Sequence, residues 1–263
     1  MGRGVARPGY GPYARAMTEA HIPATPRPAA TLLLLREAPL EVLMVRRNSR
    51  GTFASALVFP GGVLSDEDGA DAWRGLIDWS GADGAERDLR IAALRETFEE
   101  TGILAILDAD GAVTTFQPDT ANAPFINVVR ASGGVLPLDR LVHFAHWITP
   151  EKAPKRFDTH FYLLAAPDCD HACSDGAETV ALEWRGPRDV LDAEPALPFA
   201  TRLNLTRLAE SDSLAHALEA ASARPRFTVL PQFVQREDGA FVCIPAEAGY
   251  GITETARTGT LPG

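Results

Sequence analysis

Glu96, Glu99 and Glu100 stand at relative positions i, i+3 and i+4 within Leu94-Arg95-Glu96-Thr97-Phe98-Glu99-Glu100-Thr101-Gly102-Ile103. On a helix, which turns by about 100° per residue, that spacing places three carboxylates on one face. Such a face repels itself, and a cation would relieve the repulsion. Hard divalent ions such as Mg²⁺ or Mn²⁺ take oxygen ligands, and Mg²⁺ keeps waters that leave room for substrate phosphates, so the face is a seat for metal-assisted phosphate chemistry. The same spacing also fits a solvated acidic surface, and the local residues alone leave both readings open. Ile91, Leu94 and Phe98 fall on roughly the opposite side and supply an apolar stripe. Gly102 suits the left-handed residue that ends a helix.

An acidic helix that handles an anionic substrate needs cations of its own nearby. Arg46, Arg47 and Arg50 lead into Phe59-Pro60-Gly61-Gly62, and Arg156 is a further candidate. A guanidinium binds phosphate oxygens in a bidentate fork and keeps its charge at any working pH. Strand alternation sends Arg46 and Arg47 to opposite faces, so only one of them can face the acids. Gly61 and Gly62 permit a sharp turn and a close approach of backbone to ligand. The base that takes a proton from an attacking water is one of the three helix glutamates or a glutamate on a later loop such as Glu178. Cys169-x-His171-x-Cys173 lacks a fourth ligand at a zinc spacing and reads as a loop. His143 and His146 lie three apart in a strand-like run, which places them on opposite faces and makes His146 a wall residue. A Gly-x-Ser-x-Gly elbow and a Gly-Lys-Ser phosphate loop are both missing from the sequence.

The elements that must carry these residues follow from pattern. Thr31–Leu35 and Leu40–Arg47 read as an antiparallel hairpin. A short amphipathic helix is expected over Ala70–Ser80, and the acidic helix over about Glu86–Thr101 with Asp83 as its cap. Strands are expected at Ile103–Leu107, Leu141–Ile148, Arg156–Ala165 and Thr179–Trp184, with helices at about Thr120–Ala131 and Pro187–Leu191. Helices over Leu197–Glu210 and Ser213–Ala223 and a hairpin within Phe227–Ile244 complete the chain, to cover a sheet edge or build a homodimer contact. This order of strands and helices argues for an α/β layer structure. The 263 residues, 46% hydrophobic and 23% charged, suit one domain. Residues 1–28, rich in Pro, Gly and Arg, read as a disordered arm in which Met17 is an alternative start, and 252–263 as a flexible tail. The net charge of −10 argues against a nucleic-acid partner, the longest apolar run is too short to span a bilayer, and three cysteines fit a reducing cytoplasm.

Arg95-Glu96-x-x-Glu99-Glu100-x-Gly102-Ile103 resembles the distal half of the Nudix box, R-E-U-x-E-E-x-G-U with U aliphatic, and Phe59-Pro60-Gly61-Gly62 resembles its opening. Additional residues separate Gly62 from Arg95, with the insertion at about 66–85. Asp68 stands where the first Glu of the box would be, and Thr97 occupies an aliphatic position. Interrupted boxes of this kind occur in a branch that includes acyl-CoA and CoA diphosphatases. His146-Trp147-Ile148-Thr149-Pro150, Arg156-Phe157-Asp158-Thr159-x-Phe161 and Glu183-Trp184-x-x-Pro187 are also similar to that branch, so the resemblance covers 29–251. Arg46 matches one position of the additional CoA motif and is favoured over Arg47 on that ground, while Gly51 and Ser55 stand where a second Arg and a Gly would be expected.

What the resemblance implies is an α/β/α sandwich around a mixed β-sheet, with a helical insertion and extra C-terminal helices. It also implies a Mg²⁺- or Mn²⁺-dependent enzyme that cleaves a nucleoside diphosphate linked to another moiety. Glu96, Glu99 and Glu100 would hold metal, Arg95 would orient them, and water would be the nucleophile. CoA or acyl-CoA is the favoured substrate, ahead of ADP-ribose, NADH and dinucleoside polyphosphates. A non-catalytic nucleotide sensor on the same fold is the alternative of another class. The insertion is expected to be a helical excursion whose deletion alters substrate choice or assembly more than metal binding.

Overall fold

The computed structural model describes residues 23–37, 39–48, 55–116, 123–166 and 179–256. Its central strand is β1 (Arg27–Arg36), whose leucines alternate between two cores. Leu32 and Leu34 enter one core and Leu33 and Leu35 the other, all fully buried. An uninterrupted apolar run is what a strand covered on both faces requires. β2 (Glu41–Arg47) turns back antiparallel to β1, pairing only at Leu35 with Val42 and Arg36 with Glu41. Beyond that point the two strands separate. Into the gap fit β3 (Leu57–Val58), which pairs with β2, and β4 (Gly61–Val63), which pairs with Ala29–Thr31 of β1. The glycine turn therefore lies within the sheet itself.

The acidic helix α1 (Ala85–Thr101) lies across this opening. Strand β5 (Leu104–Leu107) follows and pairs with β6 (Val113–Phe116) in a separate two-stranded sheet. Then come α2 (Phe125–Ser132), β7 (Val142–Ile148), β8 (Phe157–Ala165) and β9 (Thr179–Arg185). After them follow α3 (Pro187–Ala193), α4 (Phe199–Leu208), α5 (Leu214–Ala223) and β10 (Thr228–Val229). A last meander comprises β11 (Gln232–Arg236), β12 (Gly239–Cys243) and β13 (Glu254–Ala256). The main sheet among the described residues has eight strands, ordered β10-β7-β8-β1-β2-β3, with β4 joined to β1 and β9 to β2. β8 runs parallel to β1 and β10 parallel to β7, and the remaining pairs are antiparallel, so the sheet is mixed.

One face packs α1, α2 and Trp73, and the other packs residues of α3, α4 and α5. This is the expected α/β/α sandwich. Several local expectations differ. The Ala70–Ser80 helix is only a 3₁₀ turn at Asp71–Trp73, because buried Trp73 bonds back through Nε1 to the Glu67 carbonyl (2.9 Å) and packs on Phe125. Gly84 rather than Asp83 caps α1, and Asp83 pairs instead with Arg87 at 3.0 Å. α2 starts at Phe125, after Pro124, later than expected. β1 starts at Arg27, and part of the expected tail pairs with β12 as β13. The C-terminal helices cover a face, and it is β10 that lies at the sheet edge beside β7. No helix among the described residues is long and apolar enough to cross a membrane.

Candidate active site

Helix α1 ends at Gly102, whose φ of 71° is left-handed and whose N–H bonds to the Phe98 carbonyl at 2.7 Å. The turn of helix before that end carries the carboxylates. Arg95 organises them, because each of its five N–H groups finds an acceptor. Nε and one terminal nitrogen form a bidentate pair with Asp68 at 2.8 and 3.0 Å. The same terminal nitrogen reaches the Val63 carbonyl at 3.1 Å. The other terminal nitrogen donates to Glu96 at 2.8 Å and to Glu99 at 2.9 Å. Burial opposes the Arg95 charge but is outweighed by Asp68, Glu96 and Glu99, so its pKa lies above the ordinary value. Burial pushes the Glu96 carboxyl up, with the Arg95 guanidinium opposing.

Asp68 is fully buried and also accepts from the Ser65 amide at 2.8 Å. The insertion is therefore tied to the carboxylate set at its first turn, through Arg95.

Glu100 faces the glycine turn. One carboxylate oxygen accepts from Arg47 at 2.9 Å and the other from the Gly61 amide at 3.1 Å, while Arg47 also reaches the Gly61 carbonyl at 3.2 Å. The glycines are needed for closeness. A Cβ at Gly61 would meet the Ala30 carbonyl oxygen at 2.5 Å, and one at Gly62 would collide with the Glu96 carboxylate.

The expected arginines divide. Arg47 lies against Glu100, whereas Arg46 points to the opposite face, bonding Glu194 at 2.5 Å with Glu183 at 3.6 Å. Alternation separates them as anticipated, but it is Arg47 that the sheet turns toward α1. Arg156 is buried, and it clamps the carbonyls of Thr149 (3.0 Å) and Ala24 (2.9 Å) rather than facing the acids. Glu178, Arg50 and the Cys169-x-His171-x-Cys173 cluster lie outside the described residues.

The histidines correct the alternation argument. The register of β7 against β8 shifts between His143 and Ala145, a bulge at Phe144 that returns His143 and His146 to one face. There the His146 ring stacks on His160 at 3.9 Å between centroids, and His143 lies 5.8 Å from His160. His146, Asp158 and His160 bring ligand atoms within 4.8 Å of one another, a group able to hold a metal ion. In this structure His146 Nε2 pairs with Asp158 at 2.5 Å and its Nδ1 with the Thr228 hydroxyl at 2.7 Å, while His160 Nδ1 is buried without a partner among the described residues. Burial holds His143 and His160 down to about 4, with Arg226 and neighbouring imidazoles adding to the effect. Sequence spacing gave no sign of the bulge.

A glutamate-bearing helix locked by one arginine thus lies against a glycine turn within an α/β/α sandwich. A family model described as the NUDT19 Nudix domain matches residues 82–195. Over these residues the chain is similar to the Nudix hydrolase family. It is 30% identical over 195 residues to putative nudix hydrolase 7 of Caenorhabditis elegans, covering 70% of this chain and 61% of that protein. It is 25% identical over 235 residues to the acyl-coenzyme A diphosphatase NUDT19 of Gallus gallus, covering 63% of this chain and 62% of that protein. The chain thus spans less than two thirds of the length of these two curated relatives. The crystal structure of a NUDIX hydrolase from Alicyclobacillus acidocaldarius superposes with a TM-score of 0.63 at 29% identity, covering 76% of this chain and 99% of that one.

Proposed function

We propose that the protein is a divalent-metal-dependent diphosphohydrolase that cleaves a nucleoside diphosphate linked to another moiety, with CoA or acyl-CoA as the favoured substrate. The observation that carries this reading is the convergence of Glu96, Glu99 and Glu100 beside the Gly61-Gly62 turn, with Arg47 alongside. The donor set fits Mg²⁺ or Mn²⁺, being all oxygen. Glu96, Glu99 and Glu100 would hold the ion, whose chemistry is to neutralise the diphosphate and favour attack by water. Arg95, anchored on Asp68, holds Glu96 and Glu99 in position, so that their geometry precedes substrate binding. Arg47 supplies a guanidinium beside the turn where the diphosphate would lie. The proton lost by water passes to one of these glutamates or to Glu178.

Preference for CoA rests on the relative named as the acyl-coenzyme A diphosphatase NUDT19, whose designation NUDT19 the family model shares. The test is a panel of CoA, acyl-CoA, ADP-ribose, NADH and dinucleoside polyphosphates with Mg²⁺ or Mn²⁺, read by mass. Release of 3′,5′-ADP from CoA or its acyl esters, lost on chelation, is the expected result. Products from the other substrates alone would overturn the CoA assignment. An inert protein with every member of the panel would overturn hydrolysis and favour a sensing role.

A further inference from the structure

We propose that a cavity at the free edge of β7, separate from the α1 carboxylates, binds a small phosphate-type oxyanion, either inorganic phosphate or the terminal group of a small phosphomonoester. β10 pairs with β7 only at His146 and Trp147, so among the described residues the edge at His143–Ala145 has no strand beside it other than β8. A cavity of about 250 Å³ opens there, with His143, Arg207, Arg224, Arg226, Phe227 and Glu247 in its lining. Three guanidiniums face one carboxylate, in a chain whose net charge is −10. The local sign therefore runs against the whole.

Arg207 carries the argument. It is 5% exposed, its Nε has no hydrogen-bond partner among the described residues, one terminal nitrogen donates to the Ala248 carbonyl, and its guanidinium carbon lies 3.4 Å from the Tyr250 ring centroid. Arg87, Arg90 and Arg95, also buried, each pair with an aspartate or glutamate within 3.0 Å. Among the described residues neither Arg207 nor Arg224 has such an ion pair. A buried guanidinium without a counter-charge is unfavourable, and burial lowers the Arg207 pKa accordingly. An anion in the adjoining cavity would supply what is missing. Guanidinium forks suit tetrahedral oxyanions, Arg226 is 60% exposed and only loosely paired with Glu86 at 3.3 Å, and the Phe227 ring offers an apolar wall for an ester group. Glu86 precedes Glu96 by ten positions on α1, about 15 Å along the helix axis, so one phosphate cannot occupy both places.

Calorimetric titration of the full chain in EDTA, at fixed ionic strength, tests this with inorganic phosphate, phenyl phosphate and acetate. EDTA keeps the α1 carboxylates from recruiting phosphate through a metal, so the result does not depend on the hydrolase reading. Phosphate is expected to bind with a Kd below about 1 mM and to raise Tm, with acetate much weaker. Arg224→Gln with Arg226→Gln should weaken phosphate at least about 10-fold, whereas Glu96→Gln should leave it unchanged. Tighter binding of phenyl phosphate than of inorganic phosphate would identify a phosphomonoester as the occupant, and the reverse would identify the free ion. Arg207→Met should abolish binding without lowering Tm in phosphate-free buffer. Phosphate affinity that is undetectable at 10 mM, matched by acetate, or equal in the wild type and the Arg224/Arg226 double variant would overturn the proposal.

Discussion

At the scale of single residues, Glu100 shows why charge and position must be read together. It is 4% exposed, yet an arginine and a backbone amide hold its two oxygens. Glu100→Gln keeps the shape and removes the charge, so turnover on the best substrate of the panel is expected to fall by about 10² or more while the far-ultraviolet spectrum and Tm stay close to wild type. Turnover within a few-fold of wild type would remove Glu100 from the site. The arginine pair separates by face. Arg47→Ala should raise KM roughly 10-fold, since a lost charged hydrogen bond is worth about 1.5–3 kcal/mol, and Arg46→Ala should leave KM near wild type because its partners are Glu194 and Glu183. The opposite ranking in steady-state kinetics would restore the CoA-motif assignment of Arg46.

At the scale of elements, the separation of β1 from β2 is what brings the site together. The gap admits β3 and β4, so that the glycine turn meets the C-terminal half of α1 from within the sheet. The interrupting residues are part of the same construction. Asp68 anchors Arg95, and Trp73 plugs the α1–α2 side of the core against Phe125. Trp73→Ala should therefore cost about 3–5 kcal/mol in denaturant unfolding. Trp79, partly exposed beneath Arg90, should cost distinctly less on the same change. Equal losses would mean that the insertion packs otherwise. Deleting 66–85 would remove Asp68, the bidentate partner that fixes Arg95 against Glu96 and Glu99, which predicts disturbed metal binding as well as altered substrate choice.

Over the whole molecule, two buried imidazoles make stability depend on pH. His143 and His160 titrate at about 4 in the folded chain, against 6.5 ordinarily, so between these values the unfolded chain binds more protons than the folded one. Their contribution is present above pH 6.5 and is lost as pH falls toward 4. Tm should decline from pH 6.5 to 5, and His143→Gln with His160→Gln should flatten that decline; parallel curves for the two proteins would refute it. The sequence by itself determined the apolar run of β1 and the acidic face of α1 ended by Gly102, because these depend on local period and turn chemistry, while the joining of Arg95 to Gly102 with Phe59 to Gly62 as one site was what the Nudix resemblance implied. It determined that Arg46 and Arg47 diverge, but not which one faces α1. That choice follows from which sheet face the helix covers, a tertiary fact. The short turn in place of the Ala70–Ser80 helix follows from the burial of Trp73, and the histidine cluster from a bulge at Phe144 that no local pattern announces. The uncompensated Arg207 likewise arises only when α4, β7 and the segment around Tyr250 meet, since a charge becomes buried through its distant neighbours.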